Sequence, residues 1–227
     1  MMYETDYREA RDNPKAFWSA QAEKVHWFKK PTKVLSQDEN GIDRWFADGE
    51  LNTSFLALDY HVLNGRGDQA ALIYDSPVTG SKRSYTYREL TEEVALFAGV
   101  LAAQGVEKGD RVVIYMPMVP EAAIAMLACA RLGAVHSVVF GGFAPNELAV
   151  RIDDATPKVL VTASCGIEVD RIIPYKPIVN DALAMASHRP DSCVVLQREQ
   201  HPCDLIAGFD LDWKEALASA SPADCVP

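Results

Sequence analysis

Neither common glycine-rich phosphate cradle occurs in this sequence. The P-loop pattern GxxxxGK[ST] is absent, and so is the dinucleotide turn GxGxxG. No Ser/Thr-rich glycine tract is present to wrap a triphosphate, and no serine sits in a nucleophile elbow. The five histidines, His26, His61, His136, His188 and His201, share no metal-ligand spacing. The five cysteines (Cys129, Cys165, Cys193, Cys203 and Cys225) are odd in number and contain no CxxC pair. They read as reduced thiols of a cytosolic-type compartment, not as a disulfide framework. Cys193 and Cys203 could be bridged only if the loop between them folds back. Positive charge is scarce: 22 Lys and Arg stand against 32 Asp and Glu, for a net charge of −10. That balance argues against nucleic acid or an anionic membrane as a partner. The longest apolar stretch, Ala122–Ala130, is less than half of the roughly twenty residues that a membrane-spanning helix needs. No early apolar run follows a basic start, so no signal peptide is expected, and the location reads as cytoplasmic.

What is present is a chain of 227 residues, 48% hydrophobic, of ordinary soluble composition. It is organised around Gly109 to Asp154. Arg111–Met116 (RVVIYM) is a β-branched run suited to a buried strand. Pro117 ends it, and Pro120 and Glu121 start a helix in which Ala122–Leu132 is almost wholly apolar. Gly133 is the expected stop. Val135–Phe140 reads as a second buried strand, with His136 as a core histidine. Strand, helix and strand make a right-handed βαβ unit, hence a parallel sheet. Ligands of such sheets collect beyond the carboxyl ends of the strands. Phe140-Gly141-Gly142-Phe143 occupies that place, with a helix starting near Pro145. Two readings of the glycines stand: a tight turn that needs positive φ, or a backbone that a ligand approaches closely.

Residues 1–50 read as a helical, aromatic arm, with a helix start at Asn13-Pro14. Residues 51–227 read as an incomplete α/β domain with a mainly parallel sheet flanked by helices. Residues 52–63 suggest one helix, and residues 70–74 and 82–85 a hairpin. Thr86-Tyr87-Arg88-Glu89 is a capping box, with Tyr85 and Leu90 as its staple, opening a helix to Gln104. Beyond Asp154, strands are expected over 158–162 and 192–196, and helices over 179–188 and 213–219. Residues 164–176 read as a loop or short helix, and 197–212 as a turn-rich linker. Arg171 falls at the same sheet edge as the glycine turn, a candidate partner for phosphate. Asp153-Asp154 reads as a solvated carboxylate pair.

These stretches also carry a resemblance. LNTSFLALDYHV, the run from GDQAALIYDSPVTG to ALFAGVL, MPMVPEAAIAMLACARLGAVHSVVFGGF and SCGIEVDRIIPYKP resemble the AMP-forming acyl-CoA synthetases. They look closest to the propionate–CoA ligase branch, beside acetyl-CoA synthetase. The resemblance covers nearly the whole chain and implies the first half of the large N-terminal domain of a ligase. Such a ligase uses ATP, Mg²⁺ and coenzyme A to activate a short-chain carboxylate. It also implies that the phosphate loop and the adenylating lysine lie outside these residues, so no catalytic residue is expected here. Family coenzyme A contacts fall on Phe140, Gly141, Gly142 and Arg171. The first arginine of the family's pair is Glu168 here, a reversal of charge. Two rival classes are a non-catalytic module that binds coenzyme A or another anion, and an interaction fragment that pairs through an exposed sheet edge.

Overall fold

The computed structural model describes residues 2–142 and 144–227, with the side chain of Met2 left aside. The chain divides into two compact units, one of residues 1–52 with Pro227 and one of residues 53–226.

The first unit carries helices α1 (Met2–Asp12) and α2 (Pro14–Ala22), then an antiparallel pair, β1 (Leu35–Gln37) and β2 (Asp43–Trp45). Pro14 takes the first helical position of α2, where its missing N–H costs nothing. Trp27 donates from Nε1 to the Ala22 carbonyl at 2.8 Å, and its ring lies 5.6 Å from that of Phe46. The Asp48 carboxylate accepts hydrogen bonds from the Thr32 hydroxyl and from the Thr32 and Lys33 amides, which hold its pKa at about 2.

The second unit opens with α3 (Thr53–Ala57), α4 (Asp59–His61) and a π turn over Val62–Arg66. The single helix expected over 52–63 is thus broken: Leu58 leaves the helical region, at φ −127° and ψ −74°. The hairpin of β3 (Ala70–Ser76) and β4 (Ser81–Thr86) leads into α5 (Tyr87–Ala103). The Thr86/Glu89 capping box is formed in both directions, and Tyr85 and Leu90 are buried beside it. Then follow β5 (Arg111–Met116), α6 (Pro120–Leu132), β6 (Val135–Phe140), α7 (Pro145–Ala155) and β7 (Val159–Ala163). The chain continues through β8 (Cys165–Glu168), β9 (Arg171–Pro174), α8 (Tyr175–Met185), β10 (Ser192–Leu196), β11 (Asp210–Asp212) and α9 (Trp213–Ser219).

Five strands form one sheet in the order β11-β10-β7-β5-β6, every pair parallel. One face carries a core built from α5, α6 and α9, including Phe97, Ile124, Ala128 and Trp213. The other carries a core built from α7 and α8, including Leu148, Ile152, Tyr175 and Val179. A parallel sheet needs such cover on both faces.

Three expectations are corrected. Strand β6 is not a buried strand but the edge of the sheet. Val135, His136, Val138 and Phe140 are exposed, because β6 pairs only with β5 among the described residues. His136 is therefore a surface residue, not a core one. Residues 164–176 are not a loop or short helix: β8 and β9 form an antiparallel hairpin that runs into α8. The linker 197–212 contains β11, which extends the sheet beyond β10.

That last strand is fixed by a buried ion pair. Lys176 Nζ, on α8, lies 2.9 Å from Asp210 Oδ2, with side chains 2% and 0% exposed. The Ile206 amide donates to the same oxygen at 2.7 Å, and Asn180 accepts from Lys176. Residues 220–226 then return across α5 and α6. Arg131 makes a bidentate pair with Asp59 at 2.8 and 3.0 Å and donates to the Ala223 carbonyl at 2.6 Å. The backbone of Ser221 crosses α5 at Gly99, where a Cβ would overlap its carbonyl.

Two outcomes follow for stability. Lys176→Met alone strands a buried carboxylate and should cost about 3–5 kcal/mol. Adding Asp210→Leu should recover most of that, as read by urea unfolding of the chain. Gly99→Ala should destabilise, although helix propensity alone favours alanine by about 1 kcal/mol. A gain in thermal midpoint on Gly99→Ala would show that Ser221 does not lie where the tail is placed.

Candidate functional site

At the carboxyl ends of β5 and β6 the chain encloses a groove of about 400 Å³. This is where ligands of a parallel sheet gather. The β3–β4 turn forms one side, and Met116, Phe140, Gly141, Glu168, Tyr175 and Arg198 are among the residues that form the rest. Phe140 is 71% exposed, its ring presented at the end of the edge strand. Phe143, named with the turn in the sequence reading, lies outside the described residues.

Each glycine at this place has its own reason. Gly142 adopts φ +117°, a backbone that side chains rarely tolerate. Gly141 does not need a positive φ; it needs room. A Cβ there would lie 2.5 Å from the Tyr175 hydroxyl and 2.8 Å from the Met116 carbonyl oxygen. Gly166, on β8, is held to glycine by the same tyrosine, at 2.5 Å from its ring. Tyr175 is thus clamped between two glycines, one in the turn after β6 and one on β8. Tyr115 lies beside it, with ring centroids 4.9 Å apart, and its hydroxyl accepts a hydrogen bond from the Gly142 amide at 3.2 Å. Burial raises the pKa of both phenols, that of Tyr175 to about 12. Both hydroxyls therefore stay protonated at neutral pH and serve as neutral donors and acceptors.

The charged groups lie above this layer. Glu168 faces the groove, and its Oε1 would be 3.4 Å from a Cβ on Gly142. Arg171 is its direct partner across the β8–β9 register, at the tip of the hairpin, and is exposed. Between them Val169 takes φ +56°, an uncommon backbone for a β-branched residue. The structure thus brings Phe140, Gly141 and Glu168 to the groove itself, with Gly142 behind them and Arg171 at the hairpin tip outside the lining. Arg198 is the groove's own arginine, and sequence reasoning missed it. Its amide donates to Ser164 Oγ at 2.9 Å and its guanidinium to the Cys165 carbonyl at 3.0 Å, which ties β10 to the base of the hairpin. The signal was available in principle: Arg198 follows β10 by two residues, at the carboxyl end of a parallel strand.

Chemically, the groove offers an apolar floor, an aromatic ring, two neutral hydroxyls beneath a glycine turn, and a carboxylate near a guanidinium. This can position a long, mixed ligand. It holds no nucleophile with an adjacent base, and among the described residues no group of three or more His, Cys, Asp or Glu is placed to hold a metal ion. No helix is long and apolar enough to cross a membrane.

The family described as AMP-binding enzyme matches residues 60–225, and the acetyl-coenzyme A synthetase N-terminus matches residues 3–57. An uncharacterised protein of Pseudomonas aeruginosa is 58% identical over the whole of this chain, which covers 36% of its length. The human mitochondrial acyl-CoA synthetase short-chain family member 3 is 48% identical over 99% of this chain and 33% of its own. An acetyl-coenzyme A synthetase of Shewanella denitrificans is 46% identical over 98% of this chain and 35% of its own. Among solved structures, the acetoacetyl-CoA synthetase of Streptomyces lividans superposes with a TM-score of 0.83 at 27% identity, over 97% of this chain and 34% of that one. The chain spans about a third of the length of the relatives it matches. It belongs to the AMP-binding enzyme family and corresponds to the N-terminal part of an acyl-CoA synthetase.

Proposed function

We propose that this chain is the first part of a short-chain acyl-CoA synthetase that acts on propionate. In the full-length ligase, a carboxylate oxygen attacks the α-phosphorus of ATP, and diphosphate leaves. The coenzyme A sulfur then attacks the acyl carbon of the adenylate, and AMP leaves. Mg²⁺ bound in the full-length ligase would supply charge neutralisation at the phosphates. This chain supplies scaffold and one wall of the coenzyme A site, through Phe140, Gly141, Gly142 and Arg171, with Glu168 beside them. Residues 1–50 act as an arm and residues 51–227 as part of the large domain. Five free thiols fit a reducing, cytoplasmic setting.

One observation carries the reading: the groove at the carboxyl ends of β5 and β6, walled by a glycine turn and an exposed aromatic ring. Its apolar floor suits a pantetheine arm. A second class, a module that binds coenzyme A without catalysis, uses the same groove.

ATP–pyrophosphate exchange separates these readings. The 227-residue chain should show none with propionate or acetate, while the full-length protein should exchange, and faster with propionate. Exchange by the chain alone would place the phosphate chemistry within it and overturn the division of labour. Full-length protein that binds coenzyme A by calorimetry but never exchanges would favour the binding module. Arg171→Ala should raise KM for coenzyme A about tenfold, the scale of one lost charge-assisted hydrogen bond, and leave exchange unchanged. Equal loss in both half-reactions would remove that role from Arg171.

A further inference from the structure

We infer that Tyr115 is a positioning residue for thioester formation: its hydroxyl, through the Gly142 amide, sets the turn that walls the groove. The inference rests on the coenzyme A reading above and assigns a residue that neither the glycine pattern nor the hairpin arginine brings into view.

Among the described residues β6 pairs with β5 alone, and the turn follows directly after it. Its hold comes from beneath. Tyr115, on β5, is fully buried in the core on the α7 and α8 side, and its ring packs on Tyr175. From there its hydroxyl reaches the Gly142 amide at 3.2 Å. Gly142 sits at φ +117°, so its amide direction is not one that an ordinary extended strand would present. Tyr175 fills the space under Gly141 to within 2.5 Å of a Cβ position, which blocks collapse of the turn into the core. One phenol therefore supports the turn sterically, and the other orients it by a hydrogen bond. The turn in turn carries Phe140 and the Gly141 backbone, both of which line the groove. Loss of the Tyr115 hydroxyl keeps the ring and its packing on Tyr175 and removes the hydrogen bond that orients the Gly142 amide.

The test uses the full-length protein with Tyr115→Phe. KM for coenzyme A should rise about five- to tenfold. ATP–pyrophosphate exchange with the carboxylate, and KM for ATP, should keep their wild-type values. The thermal midpoint of Tyr115→Phe should stay near that of the wild type, which separates the selective defect from loss of the fold. Equal loss in both half-reactions, or a KM for coenzyme A within twofold of wild type in Tyr115→Phe, would overturn the inference. Wild-type protein that exchanges pyrophosphate but forms no thioester with coenzyme A would overturn the coenzyme A reading and this inference with it. That outcome is visible before any variant is made.

Discussion

Burial of β5 on both faces is the constraint on which the rest of the second unit depends. Its residues alternate between two cores: Val112, Ile114 and Met116 point to α5 and α6, while Val113 and Tyr115 point to α7 and α8. Val112 through Tyr115 are wholly inaccessible to solvent. Each such side chain contributes about 1.5–3 kcal/mol relative to exposure. A slip of one residue would exchange the two sets and place the Tyr115 hydroxyl in the wrong core. Register, the two helical layers and the position of one phenol are thus set together. The groove inherits its geometry from a strand that barely touches it.

The same logic explains why chemistry-bearing positions gather where the sheet is least supported. Inner strands β7 and β10 are paired on both sides, and their ends are closed by Ser164, Arg198 and the β8 hairpin. The edge strand β6 lacks that closure, and its outward residues Val135, Val138 and Phe140 stay exposed. The buried tyrosine pair lies beneath the turn at that edge, with the Tyr115 hydroxyl on the Gly142 amide and Tyr175 packed under Gly141.

How far this could be read from the sequence depends on the range of the interaction involved. The capping box at Thr86, the stops at Gly105 and Gly133 and the limits of β5 and β10 are local, and the sequence showed them directly. The edge position of β6 was not legible, because VHSVVF is as apolar as a central strand and burial depends on what pairs with it. The hairpin of β8 and β9 was hidden by Pro174 and by a turn built on Val169 where glycine would be the usual signal. Strand β11 was hidden because its anchor, Asp210, is a polar residue whose partner lies 34 positions earlier on another element. At the site, the glycine turn was legible and its reason was not. Nothing in the sequence near Gly141 points to Tyr175.

Charge gives the last step. The lining of the groove carries Asp75 and Glu168 against Arg198, whose guanidinium already donates to the Cys165 carbonyl. Asp75 is already paired with Lys82 at 2.8 Å, so Glu168 and Arg198 balance each other within the lining, and Arg171 stands outside it at the hairpin tip. An anionic end of a ligand would meet no net attraction inside the groove and a guanidinium at its rim. A ligand with a neutral, hydrogen-bonding arm and a charged terminus fits that gradient best, with the arm along Met116 and Tyr175 and the terminus toward the tip. Under the coenzyme A reading, the carboxylate of Glu168 would then favour the uncharged arm beside it and leave the charged terminus to the hairpin tip.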